Sequence, residues 1–181
     1  DEGKAFVYHG SATGLNNIPN SMPDDADQAG ASFGISVASA GDVNGDGYCD
    51  VIIGASNFNG GFSSEGGAFV YHGSATGILA TPNSSPNDAD EASALFGYSV
   101  AGAGDINGDG YSDVIIGAYL FDDGGNSNEG KAYVYHGSAT GISATPNSTP
   151  DDADQISANF GRSVAGAGYI NGDGYSDVII G

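Results

Sequence analysis

The segment AFVYHGSATG begins at Ala5 and again at Ala68, and AYVYHGSATG begins at Ala132, so the starts are 63 and 64 residues apart. A second block keeps the same steps: FGISVASAGDVNGDGYCDVIIG from Phe33, FGYSVAGAGDINGDGYSDVIIG from Phe96 and FGRSVAGAGYINGDGYSDVIIG from Phe160. A repeat of this length constrains the fold before any single residue does. Each unit is too small to bury its own apolar surface and must pack on its neighbours.

Within one unit the apolar pattern predicts short strands: A over Phe96–Ala101, B over Asp113–Gly117 and C over Lys131–His136. A fourth, D, is expected between Ile142 and Gln155, where Pro146, Pro150 and the run DDADQ suit an outer edge. With 32 glycines, ten tyrosines and eight phenylalanines, the chain reads as all-β, rich in turns. Four antiparallel strands per unit predict β-propeller blades, with small residues such as Ala101 to Gly104 on the innermost strand; a parallel β-helix would need much shorter coils.

Residues 1–181 then form a single propeller segment: a C–D half blade (1–32), two complete blades (33–95 and 96–159) and an A–B half blade (160–181). Propellers close with ~4–8 blades. Three repeats are too few, so two expectations follow: a homo-oligomer of two chains completing a six-bladed ring, or a piece of a longer propeller.

Three basic residues against 23 acids give a formal charge of −20. Lys4, Lys131 and Arg162 cannot build a phosphate-binding patch, so nucleic acid and anionic membrane surfaces are excluded as partners. No apolar run is long enough to span a membrane, and Asp1 opens no signal peptide. The lone Cys49 excludes an intrachain disulfide and, standing where Ser112 and Ser176 stand in the other repeats, reads as a small loop residue.

The acids concentrate in the A–B turns: DVNGDGYCD from Asp42, DINGDGYSD from Asp105 and YINGDGYSD from Tyr169. Oxygen donors at loop positions 1, 3, 5 and 9, a carbonyl at 7 and a glycine at 6 suit a hard cation with six or seven oxygen ligands, which points to calcium (Ca2+) rather than magnesium or zinc. The first ligand set is Asp42, Asn44, Asp46 and Asp50 with the Tyr48 carbonyl; the second is Asp105, Asn107, Asp109 and Asp113 with Tyr111. In the third, Tyr169 replaces the leading carboxylate, leaving Asn171, Asp173 and Asp177 with Tyr175 and predicting weaker binding. An EF-hand does not fit, for no Glu stands at position 12 and Val-Ile-Ile-Gly follows where a helix should run. A plain polar turn is the alternative.

The variable B–C loops share the opposite face. Phe58, Phe62, Tyr119 and Phe121, beside Asn57, Asn59, Asp122 and Asp123, are candidates for holding a sugar or peptide, or for packing between blades. His9, His72 and His136 recur at the end of strand C and read as turn-stabilising. Asn83 and Asn147 head glycosylation sequons, whereas Asn20 does not.

Phe33-Gly34, Phe96-Gly97 and Phe160-Gly161, the acidic loops, and Gly54-Ala55 and Gly117-Ala118 together resemble FG-GAP repeats, the unit of the integrin α-subunit N-terminal propeller. Ser56 and Tyr119 depart from it, standing where the family often has proline. The resemblance implies a propeller, usually of seven blades, with calcium in the A–B loops and an extracellular or cell-surface role in adhesion, recognition or assembly. A lectin is the alternative, since some sugar-binding propellers are built of similar repeats. No Ser/His/Asp order, nucleophile elbow or cofactor fingerprint suggests an enzyme.

Overall fold

The computed structural model describes residues 2–24, 28–122, 127–151 and 155–181. Its regular structure is all strand: β1 (Phe33–Gly41), β2 (Asp50–Ala55), β3 (Gly67–Tyr71), β4 (Ser99–Gly104), β5 (Asp113–Ala118), β6 (Lys131–Tyr135), β7 (Val164–Gly168) and β8 (Asp177–Ile180). These pair antiparallel as β1-β2-β3, β4-β5-β6 and β7-β8. Each sheet is one repeat, and the sheets stack as an open arc, β1 against β4 and β4 against β7. Among the described residues no helix is long and apolar enough to cross a membrane.

Strands B and C fall within a residue of the expected bounds. Strand A starts at Phe33 in the first repeat but at Ser99 rather than Phe96 in the central one, where Phe96 is held to its neighbour. Its N–H donates to the Glu65 carbonyl at 2.7 Å and it bridges Gly66 in parallel, while Gly97 turns the chain at φ +80°. The same junction joins Phe33 to Glu2 and Phe160 to Glu129. At the other end of strand A a bulge precedes each acidic loop, placed at Gly41, Gly104 and Gly168 with φ between +67° and +77°.

The fourth strand of each blade is a correction. It contracts to one antiparallel bridge: Val7 with Ser21, Val70 with Ser84 and Val134 with Ser148. The Pro86 carbonyl accepts from Ala68, but proline has no N–H to return, so the ladder stops there. At the other end the His72 N–H goes to the Asn83 side chain instead of a backbone carbonyl. The run DDADQ lies partly outside the described residues.

Strand B reads Val-Ile-Ile without alternation because both of its faces are covered. Ile52 and Ile116 join the core between the first two sheets with Phe96, Val100 and Tyr135, whereas Ile53 packs with Phe33 and Phe69, and Ile115 with Val134 and Val164. Edge-to-face aromatic pairs hold these layers, Phe96 on Tyr133 at 5.1 Å and Phe33 on Phe69 at 5.5 Å. Cover also explains what is bare: Val37 is 62% exposed although its counterpart Val100 is 5%. An apolar groove of about 650 Å³, lined in part by Val7, Tyr8, Val37 and Ile53, opens on this face.

Candidate functional site

The acidic loops are held open by their own backbone. Asp42 Oδ1 accepts the N–H groups of Gly45 and Asp46, and Oδ2 that of Gly47, at 2.7–3.1 Å. Asp105 does the same for Gly108, Asp109 and Gly110. Asp46 Oδ1 takes the Tyr48 N–H and Oδ2 the Asn44 amide, and Asp109 repeats both with Tyr111 and Asn107. The Tyr48 N–H, and after it the Asn44 amide, hold the Asp46 carboxyl below its ordinary pKa.

The last acid of each loop is set deeper. Asp50 and Asp113 are fully buried, and their two oxygens bind two strands together. Asp50 accepts from Val43 at 2.8 Å and from Gly73 at 2.7 Å; Asp113 accepts from Ile106 at 2.8 Å and from Gly137 at 2.9 Å. Burial pushes both carboxyls up, against the pull of those N–H donors. The donors Gly73 and Gly137 belong to the recurring HGSATG segment, which therefore lies on the face of the acidic loops.

Among the described residues no Lys or Arg side chain pairs with these charges. Lys4 pairs with Asp24 at 3.6 Å, Lys131 with Asp151 at 3.2 Å, and Arg162 lies 5.5 Å from the Tyr119 ring. The donor set is all oxygen, as a hard cation requires. Among the described residues no three His, Cys, Asp or Glu side chains close on one point, and the Asn44–Asp46 and Asn107–Asp109 hydrogen bonds tie expected ligands to each other. An ion would have to replace that internal bond. His136 Nδ1 lies 3.1 Å from the Asn107 amide.

The third loop is different. It keeps the Asn171, Asp173 and Asp177 bonds, but Tyr169 is 62% exposed and offers no carboxylate to the N–H groups of Gly172, Asp173 and Gly174.

On the opposite face, Phe58 is half-buried edge-on to Phe69 at 5.6 Å. Phe121 is half-buried under Lys131, whose Nζ lies 4.5 Å from the ring. Phe62 is exposed, and Tyr119 stacks on Tyr98 at 4.5 Å. Asp123 lies outside the described residues. The loop before β3 is anchored by Glu65, fully buried, which accepts from Gly61, Phe62 and Asn87. Sequence reading missed this residue, although its recurrence as Glu129 was visible. Asn20, Asn83 and Asn147 each accept the N–H of His9, His72 or His136 at 2.8 Å, so this asparagine serves the turn with or without a sequon. Cys49 is exposed.

The FG-GAP repeat model matches residues 33–71 and 96–135, the stretches that form β1 to β3 and β4 to β6. The chain is 31% identical to integrin alpha-V of Gallus gallus over 187 aligned residues, covering 99% of this chain and 17% of that one. It is 34% identical to integrin alpha-4 of Xenopus laevis over 84% of its own length and 14% of the relative, and 35% identical to human integrin alpha-6 over 87% and 13%. The chain thus spans less than a fifth of the length of these relatives. Repeated acidic hairpins, stacked three-strand sheets and these similarities make it an FG-GAP-repeat, integrin-α-like β-propeller segment.

Proposed function

We propose that this segment is a calcium-stabilised part of an extracellular or cell-surface propeller that serves adhesion, recognition or assembly and performs no catalysis. The observation that carries the reading is the pair of loops at 42–50 and 105–113. Each carries three carboxylates within nine residues, unpaired with any Lys or Arg, on a frame of backbone N–H groups that orients the first and last acid. Bound Ca2+ would be held by Asp42, Asn44, Asp46, Asp50 and the Tyr48 carbonyl, and by the matching set from Asp105 to Asp113, and would offset their repulsion. Integrin α relatives support the adhesive role and the cell-surface setting. Calorimetric titration of metal-stripped protein tests the reading: two sites of similar strength, with the third loop weaker, are expected, and no heat of binding at millimolar calcium would end it.

The bare faces around Val37 and Ile179 fit further repeats of the same kind. Of the two completions expected, the rest of a longer propeller is the one retained, because the relatives run far beyond the matched stretch; a six-bladed pair of chains draws no support from them. Sedimentation at varied concentration separates the two. For the lectin alternative, exposed Phe62 is the platform to test: glycan binding abolished by Phe62→Ala would favour it.

A further inference from the structure

The acidic loops touch one another, and the contact runs through the peptide units that carry expected ligands. The Tyr111–Ser112 peptide holds the Tyr111 carbonyl, the seventh-position donor of the second loop, on one side and the Ser112 N–H on the other. That N–H donates to the Asp42 carbonyl at 2.9 Å. The next peptide, Asp42–Val43, passes its own N–H to Asp50 Oδ2 at 2.8 Å, and Asp50 is the last ligand of the first loop. The sequence of groups is therefore Tyr111 C=O, Ser112 N–H, Asp42 C=O, Val43 N–H, Asp50 carboxylate.

The junction is reinforced from both sides. The Asp42 N–H donates to Ser112 Oγ at 3.2 Å, and the Tyr111 ring lies on the first loop so closely that a Cβ on Gly45 would stand 2.7 Å from its Cε1. The Ser138 N–H closes the junction on the Val43 carbonyl at 3.0 Å. One repeat further on the relay recurs: the Ser176 N–H donates to the Asp105 carbonyl at 2.9 Å and the Ile106 N–H to Asp113 Oδ2 at 2.8 Å. Again the Tyr175 ring covers the preceding loop's Gly108.

Resting on the calcium reading above, we propose that neighbouring loops bind cations with positive coupling, transmitted through these two peptide units from each loop to the one before it. A cation held at the Tyr111 carbonyl would fix that peptide, and with it the Ser112 N–H bond to Asp42 and the Val43 N–H bond that positions Asp50. The coupling is one of ordering: the loop that closes first fixes the backbone of its neighbour and spares it that entropy. By linkage the effect is reciprocal.

The test is a calcium titration of the whole chain followed by amide NMR, with Gly45 and Gly47 reporting the first loop and Gly108 and Gly110 the second. Disabling the second loop with Asp109→Ala should weaken the first by about fivefold. In Asp46→Ala, where the first loop is disabled, filling the second should still move the Ser112 and Val43 amide protons downfield. Ser112→Pro, which lacks the relaying N–H, should bind at both loops without coupling, whereas Ser112→Ala, which keeps it, should stay coupled; if the proline variant does not fold, the Asp46→Ala shifts decide. Equal first-loop affinity with and without Asp109, or an unmoved Val43 proton, overturns the coupling while leaving calcium binding intact. No calcium-dependent shift in any loop overturns both.

Discussion

The central repeat and the C-terminal hairpin β7–β8 carry nearly the same sequence in different surroundings, and they behave differently for two separable reasons. One is local. Asp105 satisfies three loop N–H groups; Tyr169 at the same position satisfies none of them. The other is tertiary. Asp113 is buried and bonded by Gly137 from β6's far end, whereas Asp177 has no strand C beside it among the described residues and keeps only its Ile170 bond. Likewise Ile115 is fully buried while its counterpart Ile179 is 63% exposed. A single residue removes the loop's internal frame.

The largest expected effect comes from taking away what the complete loops hold. Chelation should cost ~2.7 kcal/mol per loop saturated at a hundredfold excess over Kd, so two loops should lower Tm by about 10–20 °C. A calorimetric scan with and without chelator reads this, and superimposable scans would break the comparison at its base.

Next, Asp113→Ala should be far more damaging than Asp177→Ala in metal-free protein. The first leaves two buried N–H donors without acceptors, ~1–3 kcal/mol each; the second leaves one, in a half-exposed setting. Equal shifts in urea midpoint would mean that cover does not matter.

Alkaline pH separates buried from bare tyrosines. Burial, with the Asp88 bond at 2.7 Å added for Tyr135, pushes Tyr133 and Tyr135 well above the ordinary value. The folded state then holds protons that the unfolded chain releases above pH ~10. Stability contributed by the neutral tyrosines is full below that pH and is lost as pH rises through it, by up to ~1.4 kcal/mol per group per unit. The buried pair should therefore contribute to tyrosinate absorbance only with unfolding; ionisation of Tyr133 and Tyr135 in the folded chain contradicts this.

The smallest effect is the most specific. Tyr169→Asp should restore the missing acceptor, add ~1 kcal/mol and bring the third loop's calcium affinity up toward that of the other two, measured by titration. An unchanged third-loop affinity would show that the leading carboxylate is not what limits it.

Strands B and C were legible because an unbroken Val-Ile-Ile run and a Tyr-Val-Tyr alternation each admit one arrangement in a short repeat. The acidic loops were legible for the same local reason: their glycines and acids are all within nine residues. Strand A's start and the loss of strand D were not, since both depend on partners beyond the local stretch, Glu65 of the preceding blade holding Phe96 and Pro86 ending a ladder begun at Val70.

The 63- and 64-residue period, the chemistry of the loops and the division into hairpins were thus determined by sequence, because they rest on bonds between residues close in the chain. Which carboxylates are buried, how one loop's Ser112 reaches the Asp42 of another, and why Val37 is bare while Val100 is covered were decided only when the sheets stacked. Burial and inter-sheet hydrogen bonds are properties of the neighbour as much as of the residue.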